Sequence, residues 1–180
     1  MARRKKQVWC IGNLFLLPLA DGEACLGQVV GIERELLNSA AVALFDRKGP
    51  WDEVSDLPRI SCDDVFSVIY VTKDLLDSGR WRIVADRALS LPHGAVPYEH
   101  LRDGGFVGAS VRGSALVEDF ANAFYGLAPW DDWYVPDYLD GYLLSPEMKP
   151  LARLVYSGRH PVPADLGGTS KAMREPPADQ

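Results

Sequence analysis

Apolar residues occur in short runs broken by turn-forming residues, a pattern that predicts a sheet with one substantial helix. Residues 8–19 read as an apolar strand, 20–23 as a turn and 24–32 as the return strand. Asp21-Gly22 between two apolar runs is a hairpin signal, because glycine takes positive φ cheaply. Pro18 cannot donate to a ladder and belongs at a strand end or an edge. Gly27, inside the return strand, predicts a bulge or a sharp bend. Residues 38–46 read as a third strand, ended by Lys48-Gly49-Pro50, with a loop over 49–61. Residues 63–72, nearly continuously apolar, read as a central strand covered on both faces.

After it, 73–78 read as one or two helical turns, with Thr72 as N-cap and Gly79 as the stop. Residues 81–85 return as a strand. Residues 92–105 read as a loop with a short turn of helix, and 106–111 as another strand. The best helix is 114–125. Ser114 is placed to cap it, Glu118 sits early where the helix dipole favours an acid, and Gly126 ends it. Leu116, Phe120 and Phe124, with Val117 beside them, form the face expected on the sheet. The sum is an α+β fold: a twisted, mainly antiparallel sheet or partial β-barrel with one main helix packed on it. The expected organisation is a basic flexible leader over 1–7, one α+β domain over 8–157 and a Pro/Gly-rich, loosely ordered tail over 158–180.

One segment resists the strand-and-turn reading. Trp130-Asp131-Asp132-Trp133-Tyr134-Val135-Pro136-Asp137-Tyr138-Leu139-Asp140-Gly141-Tyr142 holds five aromatic rings and four carboxylates, with no basic residue. Rings with acidic neighbours suit a surface that grips a basic protein. They also suit a packed corner whose carboxylates cap turns. Coming straight after the helix stop, the rings are expected to be largely buried, and the placement of Asp131, Asp132, Asp137 and Asp140 stays open. The candidate partner-binding residues are Trp130, Asp131, Asp132, Trp133, Tyr134, Asp137, Tyr138 and Asp140.

Charge sharpens this picture. The net charge is −6, yet Arg3-Arg4-Lys5-Lys6 supplies four of the nineteen basic residues. The remaining fifteen face twenty-five acidic ones, a body that repels nucleic acid and attracts basic partners. Cys10, Cys25 and Cys62 form no CxxC pair and read as small buried hydrophobes in a reducing cytoplasm. No apolar run reaches the length of a membrane span, and Gly12, Asn13 and Pro18 break what would be a signal-peptide core.

Catalytic patterns are missing. His93, His100 and His160 sit in loops without a nucleophile partner, and Gly104, Gly105, Gly108 and Gly113 lack the Lys-Ser/Thr pair of a phosphate loop. The four acids of the aromatic block, with Asp63-Asp64, are the remaining metal-ligand candidates, but their spacing matches no calcium loop. No cofactor is expected.

Three blocks resemble the immunity protein 26 family of bacterial polymorphic-toxin systems. The first is Ile11-Gly12-Asn13-Leu14-Phe15-Leu16-Leu17-Pro18-Leu19 with Asp21-Gly22 and Gly27-Gln28-Val29. The second is Val71-Thr72 with Leu75-Leu76-Asp77-Ser78-Gly79-Arg80-Trp81, on to Leu91-Pro92. The third is Asn122-Ala123-Phe124-Tyr125-Gly126-Leu127, Pro129-Trp130-Asp131-Asp132-Trp133 and Pro136-Asp137-Tyr138-Leu139-Asp140. The resemblance implies a cytoplasmic, non-enzymatic protein that binds and neutralises a cognate toxin domain, its partner. Nucleic acid and membrane are not expected partners. A small β-barrel nuclease-type toxin, a metal-dependent hydrolase and a regulatory interaction module remain alternatives.

Overall fold

The hairpin read at 8–32 seeds the sheet, though it starts later than its apolar residues suggest. A computed structural model describes residues 6–51, 56–91 and 99–161, with only the backbone of 99 and 100. The leader's residues 1–5, His93 with most of its loop, the His100 side chain and the tail from 162 lie outside the described residues. The strands are β1 (Asn13–Pro18), β2 (Ala24–Glu33), β3 (Ser39–Gly49), β4 (Val65–Val71), β5 (Arg82–Asp86) and β6 (Val111–Arg112). They form one six-stranded sheet in the order β5-β1-β2-β3-β4-β6. Every neighbouring pair is antiparallel except β4–β6. The fold is α+β, and the sheet is open, with β5 and β6 as its edges. Among the described residues no helix is long and apolar enough to cross a membrane.

Alternation along the strands makes two cores, one on each face. Leu14, Leu16, Leu26, Ala41, Ala43, Phe45, Val65 and Tyr70 fill one face. Phe15, Leu17, Val29, Val42, Leu44, Phe66 and Val71 fill the other, beneath the main helix. β4 is covered on both faces as expected but is not central: it lies next to the edge, with only the two-residue β6 outside it. The irregularity expected at Gly27 is also present: the β2–β3 register shifts between Cys25 and Gly27. Close approach explains the glycine, because a Cβ there would lie 2.3 Å from Phe15 Cζ. That Phe15 ring stacks on Trp81 at 5.1 Å. A second shift, opposite Leu44 and Phe45, leaves Phe66 unpaired in β4. Phe66 then stacks on Phe124 at 3.7 Å, and Ser67 Oγ donates to Tyr142 O at 2.6 Å.

Among the described residues three α-helices accompany the sheet: α1 (Asp74–Ser78), α2 (Glu99–Asp103) and α3 (Ser114–Phe124). α3 buries Val117, Phe120, Ala121 and Phe124, while Leu116 stays only partly buried. Glu118 is on the buried side rather than near the helix start. It accepts both Nε and Nη2 of Arg80 at 2.7 Å and the Trp81 indole N–H at 3.0 Å. The capping expectations exchange roles. Gly113, not Ser114, is the N-cap of α3, and Thr72 caps no residue of α1. Instead Thr72 Oγ1 accepts the Ser114 N–H at 3.0 Å and donates to Asp74 Oδ1 at 2.5 Å, while Ser114 Oγ donates to Asp74 at 2.8 Å. One hydroxyl thereby serves an orphan amide of a distant helix.

This node titrates. Burial pushes the Asp74 carboxyl up, but the hydrogen bonds from Thr72 and Ser114 outweigh it and hold the pKa below the ordinary 3.8. A depressed acid contributes stability in full above its unfolded pKa and loses it as pH falls through the folded value. Melting temperatures measured from neutral to acid pH are expected to fall less steeply for Asp74→Asn than for wild type below about pH 4. Parallel curves would contradict this.

Other expectations need correction. Residues 8–12 are not strand: Gly12 takes φ 97°, and Asn13 Oδ1 accepts the Cys10 N–H in a side-chain turn that delays β1. The strand read at 106–111 is largely a turn with positive φ at Gly105, Phe106 and Gly108; of that span only Val111 is paired, forming with Arg112 a two-residue strand. Of the cysteines only Cys25 is buried. Cys10 and Cys62 are exposed, because each lies in a turn outside the sheet.

Gln7 is docked. Its side-chain amide donates to Leu76 O and Trp81 O at 2.9 Å and accepts the Ile83 N–H at 3.0 Å.

Candidate functional site

The aromatic–acidic block begins where α3 ends, and its first three residues decide its shape. Gly126 turns the chain at φ 70°, and the backbone at Arg153 crosses directly above it. Pro129 and Val155 then form a parallel bridge. Trp130 N donates to Val155 O at 2.8 Å, and Ser157 N donates to Asp131 Oδ1 at 2.6 Å. Residues 129–131 are thus stitched to 155–157. Arg153 holds the same strip from the other side, paired with Asp46 at 2.7 Å and lying over the Phe124 ring.

Trp130 is 1% exposed. Its ring meets Phe120 edge-on at 5.9 Å, and its indole N–H donates to Asp140 Oδ1 at 2.7 Å. Lys149 Nζ lies over the ring and 2.8 Å from the Asp140 carboxylate. The far end of the block is a 3-10 turn, Tyr138–Tyr142, which buries Leu139 and Tyr142. Tyr142 packs on Phe120 at 5.1 Å, its hydroxyl donates to Tyr138 at 3.2 Å, and the Arg112 guanidinium covers its ring at 4.6 Å. Both ends of the block are therefore set in the core, with the middle spanning between them.

The middle is where the candidate residues separate. Trp133 is partly buried against Tyr138 at 4.9 Å. Tyr134 is fully exposed, and Val135 is exposed beside it. The expectation of largely buried rings holds for Trp130 and Tyr142 and fails for Tyr134, which projects from the stretch between the two anchors. Asp132 pairs with Arg159, and Asp140 is held by Trp130 and Lys149. Asp137 is exposed and makes no side-chain hydrogen bond or ion pair among the described residues. Asp131 is the outlier, an acid only 2% exposed. A surface built from this block presents Tyr134, Asp137, Asp132 and the open edges of Trp133 and Tyr138. Trp130 and Asp131 support it from below.

Metal-ligand convergence does not occur: no group of three His, Cys, Asp or Glu side chains suited to a metal comes together among the described residues. Asp64 lies elsewhere, engaged with Ser61 and Arg47. His160 Nε2 lies 3.2 Å from Trp133 O, beside the block.

Sequence reasoning missed Lys149, Tyr156 and Ser157, which complete the site from the end of the expected 8–157 domain, a stretch given no element. The mixed Lys-Pro-Leu-Ala-Arg-Leu-Val-Tyr-Ser over 149–157 carries no clear helix or strand periodicity to mark it. A family model described as Immunity protein 26 matches residues 11–107, which span β1 to β5 and α2. The match ends before α3 and the aromatic–acidic block, so the third resembling block lies beyond it. No curated protein and no solved structure matches the chain.

Proposed function

The chain belongs to the immunity protein 26 family, and from that premise we propose that it neutralises a cognate bacterial toxin domain by binding it, without catalysis of its own. The observation that carries the docking surface is Tyr134, a fully exposed ring in a segment whose two ends are fixed in the core. Binding energy concentrates in aromatic residues held on rigid frames, because little conformational entropy is lost when they are covered. Asp132 and Asp137 flank the ring on an acidic body, which favours a basic toxin and speeds its approach. Inhibition that protects a cell calls for nanomolar binding or better, about 12 kcal/mol.

The test is direct: the purified protein is mixed with the toxin domain encoded beside its gene. A stoichiometric complex with loss of toxin activity is expected. Tyr134→Ala is expected to weaken that complex at least about tenfold, roughly 1.4 kcal/mol, without lowering the melting temperature. Absence of a complex would overturn the function, and an undiminished complex with Tyr134→Ala would overturn the surface.

A further inference from the structure

Three buried side-chain polar atoms in the described structure have no hydrogen-bond partner, Ser39 Oγ, Asp131 Oδ2 and the Tyr156 hydroxyl, and the last two belong to residues that line one cleft. Asp131 Oδ1 is fixed by Ser157 N, while Oδ2 is buried with nothing to accept from. The hydroxyl of Tyr156, the residue before Ser157, is likewise buried and unpartnered. The cleft they line is about 80 Å³ and is also lined by Trp130, Asp137, Lys149 and His160. Leaving a carboxylate oxygen and a phenol unsatisfied costs free energy at each, so the arrangement calls for an occupant that donates hydrogen bonds.

The charges name the occupant. Asp131 and Asp137 line the cleft, and Asp140 stands close enough to help burial push the Tyr156 phenol up. Lys149 is engaged with Asp140. The field inside is therefore negative. The cleft has the volume of about two or three waters, which suits a terminal ammonium and its last methylenes against the Trp130 indole. A carboxylate binds a charged donor about twice as strongly as a neutral one.

We propose that this cleft is a receptor for a basic side chain, a lysine ammonium presented by the partner protein, held by Asp131 Oδ2 and the Tyr156 hydroxyl. That a toxin supplies the lysine rests on the function proposed above; the ligand chemistry does not.

A model compound separates the two ideas. The isotope-labelled full chain is titrated with Nα-acetyl-lysine methylamide, and the Ser157 amide and Trp130 indole N–H resonances are followed. Saturable shifts are expected with the lysine compound and none with Nα-acetyl-norleucine methylamide, which lacks the charge. Asp131→Asn keeps an oxygen for Ser157 but replaces the free acceptor by a donor, and is expected to weaken binding at least tenfold. Tyr156→Phe, which removes one hydroxyl, is expected to weaken it severalfold and serves if the asparagine variant does not fold. Equal shifts with norleucine, no shift at all (a bridging water only), or unchanged binding in the variants would overturn the proposal. None of these outcomes bears on whether the toxin complex forms.

Discussion

Trp130→Ala is expected to cost about 3–5 kcal/mol of stability. The ring is among the largest fully buried side chains, and truncation leaves a cavity beside Phe120. It also removes the indole N–H from Asp140, whose other partner, Lys149, rests on that ring. Urea unfolding checks it: the midpoint is expected to fall with little change in slope. A loss below about 1 kcal/mol would mean that the corner collapses to fill the space. The change is also expected to weaken partner binding, but by loosening the frame under Tyr134 rather than by removing a contact. Trp130→Phe, which refills most of the volume, should then recover most of both.

Gly126→Ala is the second large effect. Its φ of 70° is left-handed, which costs an L-residue roughly 1–2 kcal/mol. The added Cβ would also stand 2.3 Å from Arg153 O, a backbone atom that cannot rotate away. The strip at 153–157 must then shift, at a further cost of about 1–3 kcal/mol. Gly22→Ala is the control, because Gly22 shares a positive φ of 89° but has nothing within 4 Å of its missing Cβ. Denaturation of both variants isolates the clash, and equal losses would show that the strip yields freely.

Much of the sheet was legible because local signals decide it. Asp21-Gly22 closes the first hairpin, with Leu19 N donating to Glu23 O at 2.9 Å across the turn. The continuous apolar run in β4 announced burial on two faces. What failed was decided at long range. Val8 and Trp9 look like strand, yet Trp9 leaves the sheet to donate to Asp77 at 3.0 Å. Thr72 looks like a local cap but serves a residue 42 positions away. Glu118 looks like a dipole partner, but its ligands are 37 and 38 positions upstream.

The candidate site was half legible for the same reason. Composition marked the block, and the helix stop placed it. Which acid would be buried depended on Ser157, 26 residues on, and nothing near Asp131 distinguishes it from Asp132. The block thus has two layers. The lower one is set by core packing, and the upper one, Tyr134 with Asp137, is free to be tuned to a partner.

The docked Gln7 has a consequence for solubility. β5 is an edge strand, and open edges invite pairing with other chains. One side-chain amide occupies the Ile83 N–H and the Trp81 carbonyl at that edge, much as a neighbouring strand would. Trimming the chain through this residue would bare a ready template for aggregation while leaving both cores intact.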